Sequence, residues 1–206
     1  MFLTMAVPCK DLRIPLTLLP LQIGCILAQE IIDLLQDNKD ASVKVKWPND
    51  VLVNEKKIAG VLIESEQDHE GNYYFLIGIG VNYKYAPQVE TGGSQRGREA
   101  TCICEYLNCE NDNGDDDDDG VQEAKALGIR IANNVREWIT LQMNWDGAAE
   151  DIVNKLEGLI VFGTRSVLRD EPGNQVVIPL GLEKDGRLRV RGQDGKERLL
   201  CFDYLL

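Results

Sequence analysis

The chain has 206 residues, 44% hydrophobic and 27% charged, the proportions of an ordinary globular protein with enough length to bury a sizeable core. Its net charge of −12 argues against nucleic acid as a partner, since phosphate binding needs a basic footprint. Leu12–Ile32 is the most apolar run, but Arg13, Pro15, Pro20, Gln22, Gln29 and Glu30 interrupt it. No membrane span is therefore expected, and no basic stretch heads a signal peptide.

Phe2–Val7 reads as a strand. Pro20 suits the first turn of a helix that continues to about Gln36, with Ile23, Leu27, Ile31 and Leu34 or Leu35 recurring as its buried stripe. A meander follows. Val43–Lys46 is a β-branched run stopped by Pro48, Asn49 and Asp50. Val51–Val53 resumes it, and Asn54-Glu55-Lys56 is a turn of hairpin length leading into the strand Lys57–Glu64. Tyr73–Val81 is nearly all apolar and is expected to be buried on both faces.

Tyr83–Gly97 is rich in glycine, proline and polar residues, hence a loop. Glu110–Glu123 carries eight acidic residues and no basic one, so it contributes −8 of the −12 and is expected to be a disordered, solvated loop. Val121–Met143 has helical spacing in Leu127, Ile131, Val135 and Trp138. Asp146 can cap a second helix to about Leu159, with Ile152, Val153 and Leu156 facing inward. From Val161 the pattern changes to short alternating strands, with turns at Glu171–Asn174, Lys184–Gly186 and Gln193–Gly195, which suggests a small barrel. The six cysteines are scattered in a chain too large to need staples, and Cys102, Cys104 and Cys109 lack metal-ligand spacing. A reduced, cytoplasmic protein without a structural metal is the expectation.

The polar residues of the meander give it chemistry. Asn49 and Asp50 sit in a turn, and the hairpin brings Lys57 back within reach of Asp50. Gly60, Gly78 and Gly80 lie inside strands, where close approach of a ligand or another backbone is the usual reason for glycine. With Asn82, these residues make a plausible surface for an anionic nucleotide.

KWPND at Lys46–Asp50, KIAGVLIE at Lys57–Glu64 and IGIGVN at Ile77–Asn82 together resemble the biotin protein ligases. The resemblance implies an α+β (α/β) fold: a mixed, largely antiparallel sheet packed with helices over residues 1–159, then an SH3-like barrel over 161–206. It implies a two-step ligation. Biotin's carboxylate attacks the α-phosphate of ATP to give biotinyl-5′-AMP and pyrophosphate; a lysine of a biotin carboxyl-carrier domain then takes the biotinyl group and releases AMP. By the same resemblance, Lys57 is the catalytic residue and contacts biotin with Gly60, Gly78 and Gly80. Lys46, Asn49, Asp50 and Asn82 bind ATP, and Asp50 helps to hold Mg²⁺. A carboxylase carrier domain is the implied partner, with room for a homodimer.

The family's glycine- and arginine-rich loop lies upstream of the strand matching Phe2–Val7, and this sequence starts after it. Two function classes follow: a biotin protein ligase recorded without its N-terminal portion, and a non-catalytic remnant acting as a binding or dimer-forming domain. Lipoate ligases, which share the architecture, are disfavoured by the KWPND and KIAG pair.

Overall fold

The computed structural model describes residues 1–89, 99–107, 118–142, 148–160, 162–163, 166–167 and 175–201. It is a mixed α+β structure built on a five-stranded antiparallel sheet. Its strands are β1 (Phe2–Pro8), β2 (Val43–Lys46), β3 (Asp50–Val53), β4 (Lys56–Gln67) and β5 (Tyr73–Val81), in the order β1-β5-β4-β3-β2. Local chemistry sets the pairing of the three central strands. Asn54 and Glu55 both take positive φ, 48° and 66°, so a two-residue turn closes the β3–β4 hairpin. The Asn54 carboxamide oxygen accepts from the Ser42 N–H at 2.9 Å and ties that turn to the start of β2. The β4–β5 turn is organised by Asp68, whose carboxylate accepts from the N–H groups of Glu70 and Asn72.

The helix α1 (Leu19–Leu34) runs beneath the sheet with Pro20 in its first turn. Ile23, Leu27 and Ile31 are fully buried as its spacing predicts, but Leu21, Gln22, Cys25, Ala28 and Glu30 are buried as well. It is enclosed almost all round, by β2, β3 and β4, by α3 (Asp118–Gln142) and by α4 (Ala148–Glu157). The helical stretch Leu16–Leu34 is in fact long and apolar enough to cross a membrane by length and composition, contrary to the expectation from its interruptions. The interruptions that matter are answered inside the fold. Glu30, only 8% exposed, accepts from Arg130 Nε at 2.9 Å and from the Asn134 amide.

Two other expectations are corrected. β5 is not buried on both faces: Ile77, Ile79 and Val81 enter the core, while Gly78 and Gly80 alternate with them on an open face. Asp118–Glu123, expected in the acidic loop, forms the first turns of α3, where carboxylates are favoured by the helix macrodipole. Residues 110–117 of that tract lie outside the described residues, as does Asp146. A short helix, α2 (Cys104–Leu107), precedes α3.

The C-terminal part forms a second antiparallel sheet, β6 (Ser166–Val167), β7 (Val176–Leu182), β8 (Leu188–Gly192) and β9 (Glu197–Leu200), ordered β6-β7-β8-β9. Leu188 and Val190 are buried and Arg189 and Arg191 exposed, the alternation that their sequence predicts. Among the described residues no ladder joins β6 to β9, so they form a meander, and the closed barrel of the sequence reading is not seen among them. It is docked on the larger sheet by its β7–β8 turn. Trp47 Nε1 donates to the Gly186 carbonyl at 3.0 Å, and Thr17 Oγ1 donates to the Asp185 carbonyl.

Candidate functional site

The uncovered face of the larger sheet and the adjoining side of α3 enclose an open cleft of about 1400 Å³. Its floor is made by Gly60 and Leu62 of β4, Gly78 and Gly80 of β5, and Phe2 and Thr4 of β1. Val121, Ala124, Lys125, Gly128 and Ile129 of α3 form a wall. Asn49, Asp50, Lys57 and Asn82 stand at the end where β3, β4 and β5 meet.

Lys57 and Asp50 form an ion pair, Nζ to Oδ1 at 2.6 Å, with the lysine side chain 43% and the aspartate 17% exposed. An irregularity in the hairpin creates it. Val51 pairs with Ala59, but Leu52 pairs with Lys57, so Ile58 is an extra residue on β4. Without the bulge, Lys57 and Gly60, three positions apart, would face opposite sides of the sheet. With it, both lie at the cleft. Ile58 and Ala59 are consequently buried side by side, and both belong to the core. Lys56 is turned to different company, the Glu99 carboxylate at 2.9 Å, which raises its pKa above the ordinary lysine value by hydrogen bonding and by charge.

The two carboxamides hold the frame. Asn49 Nδ2 donates to the Val61 carbonyl at 2.8 Å, while the Val61 N–H donates to the Asn49 carbonyl at 2.9 Å. This double bond locks the β2–β3 turn onto β4. Asn82 Nδ2 donates to the Thr101 carbonyl at 3.0 Å and the Lys57 carbonyl at 3.4 Å. It thereby fixes the backbone that carries Lys57.

The glycines differ among themselves. A Cβ on Gly78 or Gly80 would meet nothing nearer than 3.5 Å, ordinary contact, so the fold itself does not demand glycine there. A side chain at either position would instead stand up into the cleft. A Cβ on Gly60 would lie 3.1 Å from Lys57 Cε and Nζ and 3.2 Å from Asp50 Oδ1.

Residues 2–82 match the model of the biotin/lipoate A/B protein ligase family. Over those residues, about two fifths of the chain, the sequence is similar to that family. A biotin–[acetyl-CoA-carboxylase] ligase of Paracoccus denitrificans is 46% identical over 57 residues, which are 26% of this chain and 24% of that protein. The sequence match thus spans about a quarter of that relative's length. In structure, the apo biotin protein ligase of Aquifex aeolicus superposes with a TM-score of 0.67 at 21% identity, over 100% of this chain and 80% of that one. The biotin protein ligase of Leishmania major in complex with biotin gives 0.55 at 25% identity, over 97% and 77%. At 21% the Aquifex likeness is one of fold.

Among the residues that the sequence singles out, the structure brings Asn49, Asp50, Lys57, Gly60, Gly78, Gly80 and Asn82 to one cleft. Lys46, the expected partner of the ATP phosphates, is not among the lining residues. It ends β2, opposite Asp50 in the β2–β3 ladder. Sequence reasoning missed the α3 wall, and with it Lys125, and also Lys84 just past β5. Among the described residues the lining holds three lysines, Lys57, Lys84 and Lys125, and one carboxylate, Asp50. In a chain of net charge −12, this concentration of positive charge suits an anionic ligand.

Asp50 is also the one residue proposed for Mg²⁺. Its carboxylate is already committed to Lys57, and the described residues contain no group of three or more His, Cys, Asp or Glu side chains able to hold a metal. The donor set does not fit a resident ion. It fits at most a Mg²⁺ whose other ligands are phosphate oxygens and water.

Proposed function

We propose that the cleft activates biotin with ATP, and that the chain is a biotin protein ligase whose acceptor is a lysine on the carrier domain of a biotin-dependent carboxylase. The observation that carries this reading is the paired lysine over a glycine floor: Lys57 beside Asp50, with Gly60, Gly78 and Gly80 on the same open face. The named relatives support it, one called a biotin–[acetyl-CoA-carboxylase] ligase and one solved with biotin.

The reaction asks for positive charge at fixed places. When the carboxylate of biotin attacks the α-phosphate, charge builds on the phosphoryl oxygens and on departing pyrophosphate. When an amine attacks the mixed anhydride, charge builds on the acyl oxygen. Lys57 is the ammonium at that centre, and Asp50 holds it in place. The bare backbone at Gly78 and Gly80 lets the flat ring system lie close to β5. Lys84 and Lys125 supply longer-range attraction for the polyphosphate. The nearby end of the cleft, framed by Asn49 and Asn82, is where the nucleotide sits. The C-terminal meander is read as the open remainder of an SH3-like barrel, distinct from the ligase part that precedes it.

Biotin-dependent exchange of pyrophosphate into ATP tests the proposal on the 206-residue chain and its variants. Lys57→Ala is expected to lose about 10²–10³ in rate, the worth of one preorganised donor. Lys57→Arg is expected to be poor also, because a planar fork does not replace a compact ammonium in the space beside Asp50. Lys56→Ala, which gives up only Glu99, is expected to keep the parent rate. Equal losses for the two alanine variants would refute the assignment. Biotin binding without any exchange would favour the binding-module reading instead.

A further inference from the structure

Three glycines floor the cleft, but only one is sterically committed to the protein itself. Gly78 and Gly80 could carry a Cβ without touching protein closer than 3.5 Å, whereas at Gly60 a Cβ would crowd both members of the ion pair, at 3.1 Å and 3.2 Å. The crowded atoms are Lys57 Cε and Nζ and Asp50 Oδ1. Lys57 therefore reaches Asp50 by passing over the empty face of Gly60. Two features have to coincide for that path to exist. The bulge at Ile58 must bring positions 57 and 60 to the same side of β4, and position 60 must then lack a side chain.

We propose that Gly60 is a positioning residue for Lys57: its missing side chain is the slot that lets the lysine lie against Asp50, and it acts through the lysine rather than by touching the ligand. This rests on the reading of Lys57 as the ammonium at the reacting centre. Asp50 takes one of the three N–H donors that an ammonium carries, so the lysine arrives already aimed, with donors still available to an incoming anion. A lysine fixed before the substrate enters does not have to be ordered during reaction, which is the advantage of preorganised charge. Asp50 contributes to catalysis in the same way, as the anchor of Lys57.

The atoms that a Cβ would strike first belong to the far end of a flexible side chain, so Gly60→Ala should fold, with Lys57 giving way and loosening its hold on Asp50. Lysine ε-¹³C and ζ-¹⁵N NMR on the 206-residue chain reads this directly, with exposed Lys39 as the reference for a mobile lysine. In the parent protein, Lys57 should show inequivalent ε-methylene protons and a restricted ammonium. Gly60→Ala should lose both, and so should Asp50→Asn, which leaves the slot open but removes the anchor. The double variant should lose no more than either single one, because both changes break the same contact. Gly78→Ala should leave Lys57 restricted.

Pyrophosphate exchange adds a second readout: Gly60→Ala should lower kcat, with a smaller effect on KM for biotin. A restricted Lys57 in Gly60→Ala together with a raised KM would overturn the proposal and make Gly60 a ligand contact. A restricted Lys57 in Asp50→Asn would overturn it independently, even if Gly60→Ala did not fold. Absence of exchange in the parent chain would count against the ligase reading alone, since the NMR comparison decides the slot without it.

Discussion

Substituting alanine for Gly186 tests how the C-terminal sheet is seated on the rest of the molecule. Gly186 has φ +82°, and a Cβ there would lie 2.7 Å from Leu18 Cδ2 and 3.1 Å from the Thr17 carbonyl carbon. Leu18 is fully buried and the Thr17 atom is backbone, so neither can move aside at little cost. The left-handed backbone alone costs a non-glycine residue about 1–2 kcal/mol. Forcing a methyl group into a filled site adds about 1–3 kcal/mol. Gly195 separates the two effects, because it has φ +75° and nothing within 4 Å of its Cβ position. Gly195→Ala should therefore cost about 1–2 kcal/mol and Gly186→Ala about 2–5 kcal/mol. For a domain of this size the melting temperature falls by about 2–4 °C per kcal/mol. Urea denaturation followed by tryptophan fluorescence measures both variants, and Trp47, which donates to the Gly186 carbonyl, reports on the seat itself. Equal destabilisation by the two substitutions would show that the turn is not socketed against Thr17 and Leu18.

Burial pushes the Cys25 thiol up to about 12, with Lys155 opposing part of the shift. Cys25 should stay unlabelled by a disulfide reagent at pH 8 in the native protein, while exposed Cys201 reacts; labelling of both at one rate would contradict its burial. Because the folded value lies above the unfolded one, the contribution of this thiol to stability is complete below about 9. It is lost as pH rises from there towards 12. Glu30→Ala should destabilise by about 2–4 kcal/mol, since it removes two charge-assisted bonds and leaves Arg130 and Asn134 without their buried acceptor. Glu64→Ala, on the exposed part of β4, should stay within about 0.5 kcal/mol, and denaturant titration separates the two.

What could be read from the sequence was what local chemistry decides. Asn54 and Glu55 specify the hairpin turn, although Lys56, read as its third residue, already opens β4, and it is the bulge that sets Lys57 beside Asp50. Pro20 and the Ile23, Leu27, Ile31 stripe locate α1. The bulge was missed, although Ile58 and Ala59 in succession already break the alternation of a strand with one open face, and adjacent buried residues are its signature. In β5 the alternation was present but hidden, because Gly78 and Gly80 were counted with the apolar residues instead of as the open face. Lys84, Lys125 and the apolar wall of α3 left no local trace. Lys125 and the wall reach the cleft through the packing of α3 beside β1, helped by the Tyr83 hydroxyl donating to Glu123 at 2.8 Å, and Lys84 through its place just past β5. Nor does the acidity of Asp118 and Asp119 prevent a helix when it falls at the helix N-terminus.

The central claim is that the cleft joins biotin to AMP around Lys57. Its most direct test is formation of biotinyl-5′-AMP itself, from labelled ATP and biotin incubated with the 206-residue chain, resolved by thin-layer chromatography, with lipoate as the competing acid. The expected result is adenylate with biotin, little with lipoate, and none with Lys57→Ala. Adenylate formed equally by Lys57→Ala, or preferentially from lipoate, would contradict it.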